Sequence, residues 1–134
     1  MLKNKRGITL IELLIIVVII GVLAVLAVPR FKNSTLISKQ AEAKDLLRQI
    51  YEEEVLCRAG GGYADLGVTC KAGETFTGLG LTIPPGAQYI YSISGNSGGF
   101  TAKATANIDD DSTIDEWIVT ENGRVKCVTN DVKE

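Results

Sequence analysis

The densest group of side chains able to do chemistry lies in the segment NIDDDSTIDEW, residues 107–117. Asp109, Asp111, Thr113 and Asp115 stand at alternate positions, and oxygen ligands at positions 1, 3, 5 and 7 are typical of the start of a calcium-binding loop. The glycine expected at position 6 is an isoleucine, and no acid stands at position 12. Two interpretations therefore stay open: a calcium site formed by these four residues, and a hydrated acidic turn between strands.

Nothing else in the sequence resembles a catalytic centre. The chain contains no histidine, which excludes histidine general bases and the usual Ser-His or Cys-His nucleophile pairs. The glycines at 60–62 follow a helical pattern rather than a strand, so they do not indicate a phosphate-binding loop. The formal charge is −2 with no long basic run, so no nucleic-acid site is evident. We expect no enzymatic activity and, apart from calcium, no cofactor.

The three cysteines are Cys57, Cys70 and Cys127, and none belongs to a CxxC pair that would indicate zinc. Three cysteines allow one disulfide with three pairings, and export to an oxidising compartment favours one. We favour a Cys57–Cys70 bond, which would tie the end of a helix to the loop that follows, with Cys127 as the alternative partner. Three reduced thiols are the remaining interpretation.

Glu12 is the only charged residue between residues 8 and 28, a stretch long enough to span a membrane at about 20 residues. A charge near mid-bilayer costs on the order of 3 kcal/mol, so this carboxylate needs a partner. Cleavage after Gly7 would create an amine at Ile8, and Glu12 of one subunit would then pair with that amine on a neighbouring helix. A secretory signal peptide and a plain membrane anchor are the two other interpretations, but neither explains Glu12.

The run KRGITLIELLIIVVIIGVLAVLAVP, residues 5–29, resembles the N-terminus of type IV prepilins and pseudopilins. The resemblance implies that a prepilin peptidase cuts between Gly7 and Ile8 and that Ile8 is N-methylated. It further implies that Glu12 sets the register of assembly and that Pro29 marks a bend in the helix. Ile8 is a departure, since the family usually has Phe there. The seven-residue leader is similar to that of the type IVa group.

Four segments are predicted to position these residues: a leader at 1–7, a helix at 8–57 with 8–28 as transmembrane segment or filament core, a loop at 58–87, and a sheet with the C-terminal region at 88–134. Leu36, Ala43, Leu47, Ile50 and Cys57 fall on one helix face. Asn33–Thr35 predicts a loosening of the helix, and Glu52–Glu54 a solvated face.

Alternating segments at 88–94, 100–106, 116–120 and 124–129 predict four strands, with Asn122-Gly123 turning the last hairpin and with Val125 and Cys127 facing inward. The fold class is therefore α+β, a long N-terminal helix whose C-terminal half packs on a four-stranded antiparallel sheet, as in pilins.

Together with the resemblance, these elements predict a structural subunit of a type IV pilus, a helical surface filament for adhesion, motility or DNA uptake. The implied partners are further copies of the chain, the prepilin peptidase, the inner-membrane assembly platform with its motor ATPase, and the membrane itself. The protein would lie in the inner membrane before assembly and in the extracellular pilus afterwards. A pseudopilin of a type II secretion system and a single-span membrane-anchored binding domain are the alternatives. The cysteines favour the pilus, because a surface fibre gains more from a disulfide.

Overall fold

The computed structural model describes residues 7–109 and 111–132, with the side chain of residue 29 also excepted. Two units divide the chain, Met1–Thr35 and Leu36–Glu134, and each is described by itself. The elements in chain order are α1 (Leu10–Ala59), β1 (Thr69–Cys70), β2 (Thr75–Phe76), β3 (Leu81–Thr82), β4 (Ile90–Asn96), β5 (Gly99–Ala106), β6 (Asp115–Thr120) and β7 (Lys126–Thr129).

The N-terminal unit contains the first part of α1, which is apolar on every side between Leu13 and Val28. The helix continues without interruption through residues 29 and 33–35. The predicted loosening at Asn33–Thr35 is therefore wrong. The hydroxyl of Thr35 donates to the carbonyl of Phe31 at 3.1 Å, so this side chain is satisfied within the helix. A bend at Pro29 stays a prediction.

In the second unit a five-stranded antiparallel sheet has the order β1-β4-β5-β6-β7. Its four longer strands are the four predicted from alternation, and the two-residue β1 adds a fifth at one edge. The turn before β7 has Gly123 at a φ of +71° and a bond from its N–H to the carbonyl of Thr120. The loop is longer than the two residues of the tightest hairpins, but it turns at the predicted glycine.

The core lies between the inner face of the sheet and the part of α1 that follows Leu36. Alternate residues of the strands point into it, and the helix contributes residues at intervals of three to four. The sheet contributes Tyr91, Ile93, Phe100, Ala102, Ala104 and Val119, Tyr89 lies just before β4, and the helix contributes Ala43, Leu46, Leu47 and Ile50. The prediction of an α+β fold with a long helix on an antiparallel sheet is confirmed.

The segment between helix and sheet is more than the surface loop that was predicted. It contains β1 and the separate antiparallel pair β2-β3, and it buries Phe76, Leu79 and Ile83 in the core. Glu54 was also predicted to face solvent but is fully buried. Its Oε2 accepts a 2.9 Å hydrogen bond from the N–H of Ala64 in this segment. The glycine-rich composition of this segment therefore gave no indication that it contributes residues to the core.

Candidate functional site

The start of α1 carries the residues predicted for processing and assembly. Gly7 and Ile8 are exposed and precede the helix, which begins at Leu10. Thr9 is the N-cap, since its Oγ1 accepts a 3.3 Å hydrogen bond from the N–H of Glu12 and its carbonyl accepts one from Leu13. A scissile bond between residues 7 and 8 would thus lie outside the helix, where the chain has no regular secondary structure.

Glu12 occupies the third helical position, where a carboxylate interacts favourably with the positive end of the helix dipole. Thr9 and Glu12 together form the sequence pattern of a capping box, T-x-x-E. Among the residues that the structure describes, Glu12 forms no salt bridge within its own chain and is exposed.

The apolar stretch after Glu12 presents its side chains outward around the whole helix. The large hydrophobic residues between Ile8 and Val28 are 45% to 82% exposed. α1 is long and apolar enough to cross a membrane by length and composition, and none of its most apolar segment is buried within the protein. Such a surface needs lipid or other protein to cover it.

The three cysteines are all free thiols, so the predicted Cys57–Cys70 bond is not formed. Cys57 is half-buried on the helix with its thiol directed at the carbonyl of Gly78, whereas Cys70 is buried in β1. The alternative pairing of Cys70 with Cys127 is excluded by topology. These residues lie in the two opposite edge strands, about 19 Å apart at the usual strand spacing, and a disulfide needs Cα atoms within about 7 Å.

Cys127 also differs from the prediction in its burial. It pairs with Trp117 across the sheet, so it lies on the inner face, but it is exposed. β7 is the edge strand, and all four of its residues are exposed. Val125, in contrast, packs against the core as predicted.

Asp115, predicted as a calcium ligand, points into the core instead. Its Oδ1 accepts from the side-chain amide of Gln40 at 2.9 Å and from the N–H of Asp131 at 3.0 Å. Its Oδ2 accepts from the hydroxyl of Tyr89 and the indole N–H of Trp117. These four donors satisfy the carboxylate and connect the helix, β6 and the C-terminal segment. Asp115 is therefore not available to a metal ion in the loop.

The other predicted ligands stay in the loop between β5 and β6. The N–H of Asp111 donates to Asp109 Oδ1 at 2.9 Å, and the N–H of Thr113 donates to Asp111 Oδ1 at 2.6 Å. The carboxylate that joins Asp109 and Asp111 is that of Asp131, with one oxygen from each of the three lying within 4.8 Å of the others. Sequence spacing missed Asp131, because it follows β7 and only the fold brings it to the loop.

Residues 2–28 match the family described as "Prokaryotic N-terminal methylation motif". The chain carries a prokaryotic N-terminal methylation motif. The capped helix start, the exposed apolar stretch and Glu12 therefore lie in the segment that this motif defines. The predicted resemblance to prepilins is confirmed.

A search of curated proteins adds a distant likeness to "Type IV major pilin protein PilA" of Myxococcus xanthus (strain DK1622). The two are 48% identical over 48 residues, which is 36% of this chain. The match spans only 22% of that relative's own length. No solved structure matches the chain.

Proposed function

We propose that this prepilin-like protein is the structural subunit of a type IV pilus. It is cleaved after Gly7, N-methylated at Ile8 and assembled into a helical surface filament. The observation that carries the proposal is the exposed apolar stretch of α1, which lies within the methylation motif at residues 2–28. The protein acts through assembly rather than through catalysis.

The apolar stretch suits two environments in succession. Before assembly, lipid covers it, and a helix of this length satisfies its own backbone groups inside a bilayer. In a filament, the same stretches of neighbouring subunits cover one another. Each large apolar side chain that leaves water contributes about 1.5–3 kcal/mol, so many such residues per subunit supply strong cohesion.

Glu12 would fix the axial position of each subunit, which apolar packing alone does not determine. Cleavage after Gly7 would leave a positively charged amine close to the positive end of the helix dipole, which is unfavourable. A Glu12 carboxylate from a neighbouring subunit would offset that charge. Removing one partner of a buried ion pair costs about 3–5 kcal/mol, so subunits in the wrong axial position would be strongly disfavoured.

The choice between a pilus and a type II secretion pseudopilus no longer rests on a disulfide, since all three cysteines are free. The likeness to a major pilin over 48 residues favours the pilus. The partners that follow are further copies of the chain, the prepilin peptidase, and the inner-membrane platform with its motor ATPase. Inner membrane and then extracellular filament are the successive locations.

Substitution of Glu12 tests the register, because two roles for this residue predict different results. Glu12→Gln keeps a side chain that suits a capping box but removes the charge, whereas Glu12→Ala removes both. We expect both variants to be cleaved normally and to give at least about tenfold less sheared surface filament, since tenfold corresponds to 1.4 kcal/mol. Immunoblots of sheared and total protein measure the yield.

Glu52→Gln is the matched control, since Glu52 is an exposed glutamate of the same helix outside the apolar stretch. It should assemble like the wild type. Normal filament yield from Glu12→Gln with a low yield from Glu12→Ala would assign Glu12 to capping alone and overturn its role in register.

A further inference from the structure

The carboxylates of Asp109, Asp111 and Asp131 form a cluster built from two separate segments of the chain. Asp109 and Asp111 belong to the loop between β5 and β6, while Asp131 follows β7. One oxygen from each lies within 4.8 Å of the others. Three carboxylates at such distances repel one another unless a positive charge lies among them.

Asp131 distinguishes this cluster from an ordinary acidic surface loop. Its side chain is only 1% exposed, whereas the side chains of Asp109 and Asp111 are half-buried. Its Oδ2 accepts a 3.0 Å hydrogen bond from the N–H of Ile108, but its Oδ1 is buried without any hydrogen-bond partner among the described residues. Leaving a buried polar group unsatisfied is costly, and more so for a charged group. The orphaned oxygen therefore indicates a missing cationic or donor partner.

The electrostatics of Asp131 agree with the geometry. Burial raises the pKa of its carboxyl above the ordinary value, and the charges of Asp109 and Asp111 raise it further. The backbone N–H groups of Ile108 and Asp109 lower this pKa in part. A bound cation would reverse the first two effects, because it replaces lost hydration and neutralises the neighbouring charges.

We propose that Asp109, Asp111 and Asp131 bind a divalent cation, and that the cation is calcium. All three ligands are carboxylate oxygens, which hard cations prefer, and calcium accepts irregular arrangements of six to eight oxygens more readily than magnesium does. The residues present fit such an ion, because Asp131 brings an unsatisfied buried oxygen to the cluster. This ligand set replaces the loop of alternate residues predicted from sequence, since Asp115 is consumed by the core.

The cation would join the loop after β5 to the segment after β7. Those two segments are already in contact through the bond between Ile108 and Asp131. Lys39 lies beside the same loop, with its Nζ donating to the carbonyl of Ile108 at 3.1 Å. A lysine near the loop offers an internal way to compensate the charge, and the experiment below separates it from a bound ion.

Calcium binding is measured on the full chain in detergent, after treatment with EDTA, by titration calorimetry with calcium chloride and by thermal unfolding. Asp131→Asn keeps an oxygen for the N–H of Ile108 but removes the charge. We expect the wild type to bind one calcium ion and to gain about 10 °C in its unfolding midpoint at 100-fold excess over the dissociation constant. Asp131→Asn should bind at least tenfold more weakly and lose the gain in midpoint.

Asp45→Asn is the matched control, because Asp45 is an exposed aspartate of α1 paired with Arg48 outside the cluster. It should bind calcium like the wild type. If Asp131→Asn does not fold, Asp111→Asn tests the same ligand set from the loop side and should weaken binding equally. Absence of a calcium response in the wild type, or an unchanged response in the cluster variants, would overturn the proposal and leave Lys39 as the compensating charge.

Discussion

Buried carboxylates are central to the packing of the unit that begins at Leu36. Asp115 lies in the core because four donors from the helix, the sheet and the C-terminal segment converge on it. A buried charge is tolerated only with such compensation. Glu54 is less well compensated, because only one of its oxygens has a partner and Oε1 has none among the described residues.

Glu54 makes the stability of the fold depend on pH. Burial raises the pKa of its carboxyl above the ordinary 4.5, the Ala64 N–H lowers it in part, and the charge of Asp65 raises it again. The folded state therefore holds its proton to higher pH than the unfolded state, and the contribution of Glu54 to the free energy of unfolding falls as the pH rises above 4.5. Glu54→Gln keeps an acceptor for Ala64 without a charge.

We expect Glu54→Gln to raise the unfolding midpoint at pH 7 and to leave it near the wild-type value at pH 4, as followed by circular dichroism. Glu53→Gln, at the more exposed neighbouring position, should change neither value. A variant less stable than the wild type at pH 7 would show that the ionised carboxylate is favourable at this position, contrary to the assignment.

At the scale of elements, the turn between β6 and β7 is positioned by one close approach to the helix. Gly123 has a φ of +71°, and a Cβ added there would lie 2.8 Å from the ring of Tyr51. Both the backbone conformation and the contact exclude a side chain. The turn can therefore pack on α1 only with glycine at this position.

Gly123→Ala should lower the free energy of unfolding by about 1–3 kcal/mol, because the new methyl group forces the turn away from Tyr51 or strains its backbone. Denaturant titration measures the loss. Gly86→Ala is the matched control, since a Cβ there meets nothing within 4 Å, and it should be close to neutral. Equal stability of the two variants would contradict the close packing of the turn.

The longer elements could be predicted from the sequence because their pattern repeats. β5 alternates over all eight of its residues and β4 over its first four, and the apolar face of the helix recurs over several turns. β1, β2 and β3 have two residues each, which is too short for any period to appear. The capping pattern of Thr9 and Glu12 is also readable in the sequence, because T-x-x-E is a local pattern.

The acidic loop could not be resolved from sequence for a different reason. Alternation placed Asp109, Asp111 and Asp115 on one predicted side, but the strand begins at Asp115, so this residue follows the inward face of β6 instead. Asp131 joins the cluster only because β7 returns beside β6. Contacts between segments so far apart depend on the packed fold and leave no local signal.

On the scale of the whole molecule, we propose that the chain is made as a precursor and becomes an assembly subunit when it is cleaved after Gly7. Cleavage after Gly7 would create an amine at Ile8 that the precursor lacks, and the register proposed for Glu12 depends on that amine. Gly7→Ser should block cutting, keep the protein in the membrane and abolish filaments, because the peptidase that the methylation motif implies would meet a side chain at its cleavage position.

The most direct test is the N-terminal sequence and intact mass of the protein recovered from sheared surface filaments. We predict a chain that begins at a methylated Ile8, with a mass that corresponds to three free thiols. A chain that begins at Met1 and is recovered only from membranes would contradict assembly, and the proposed role of Glu12 would then lose its basis.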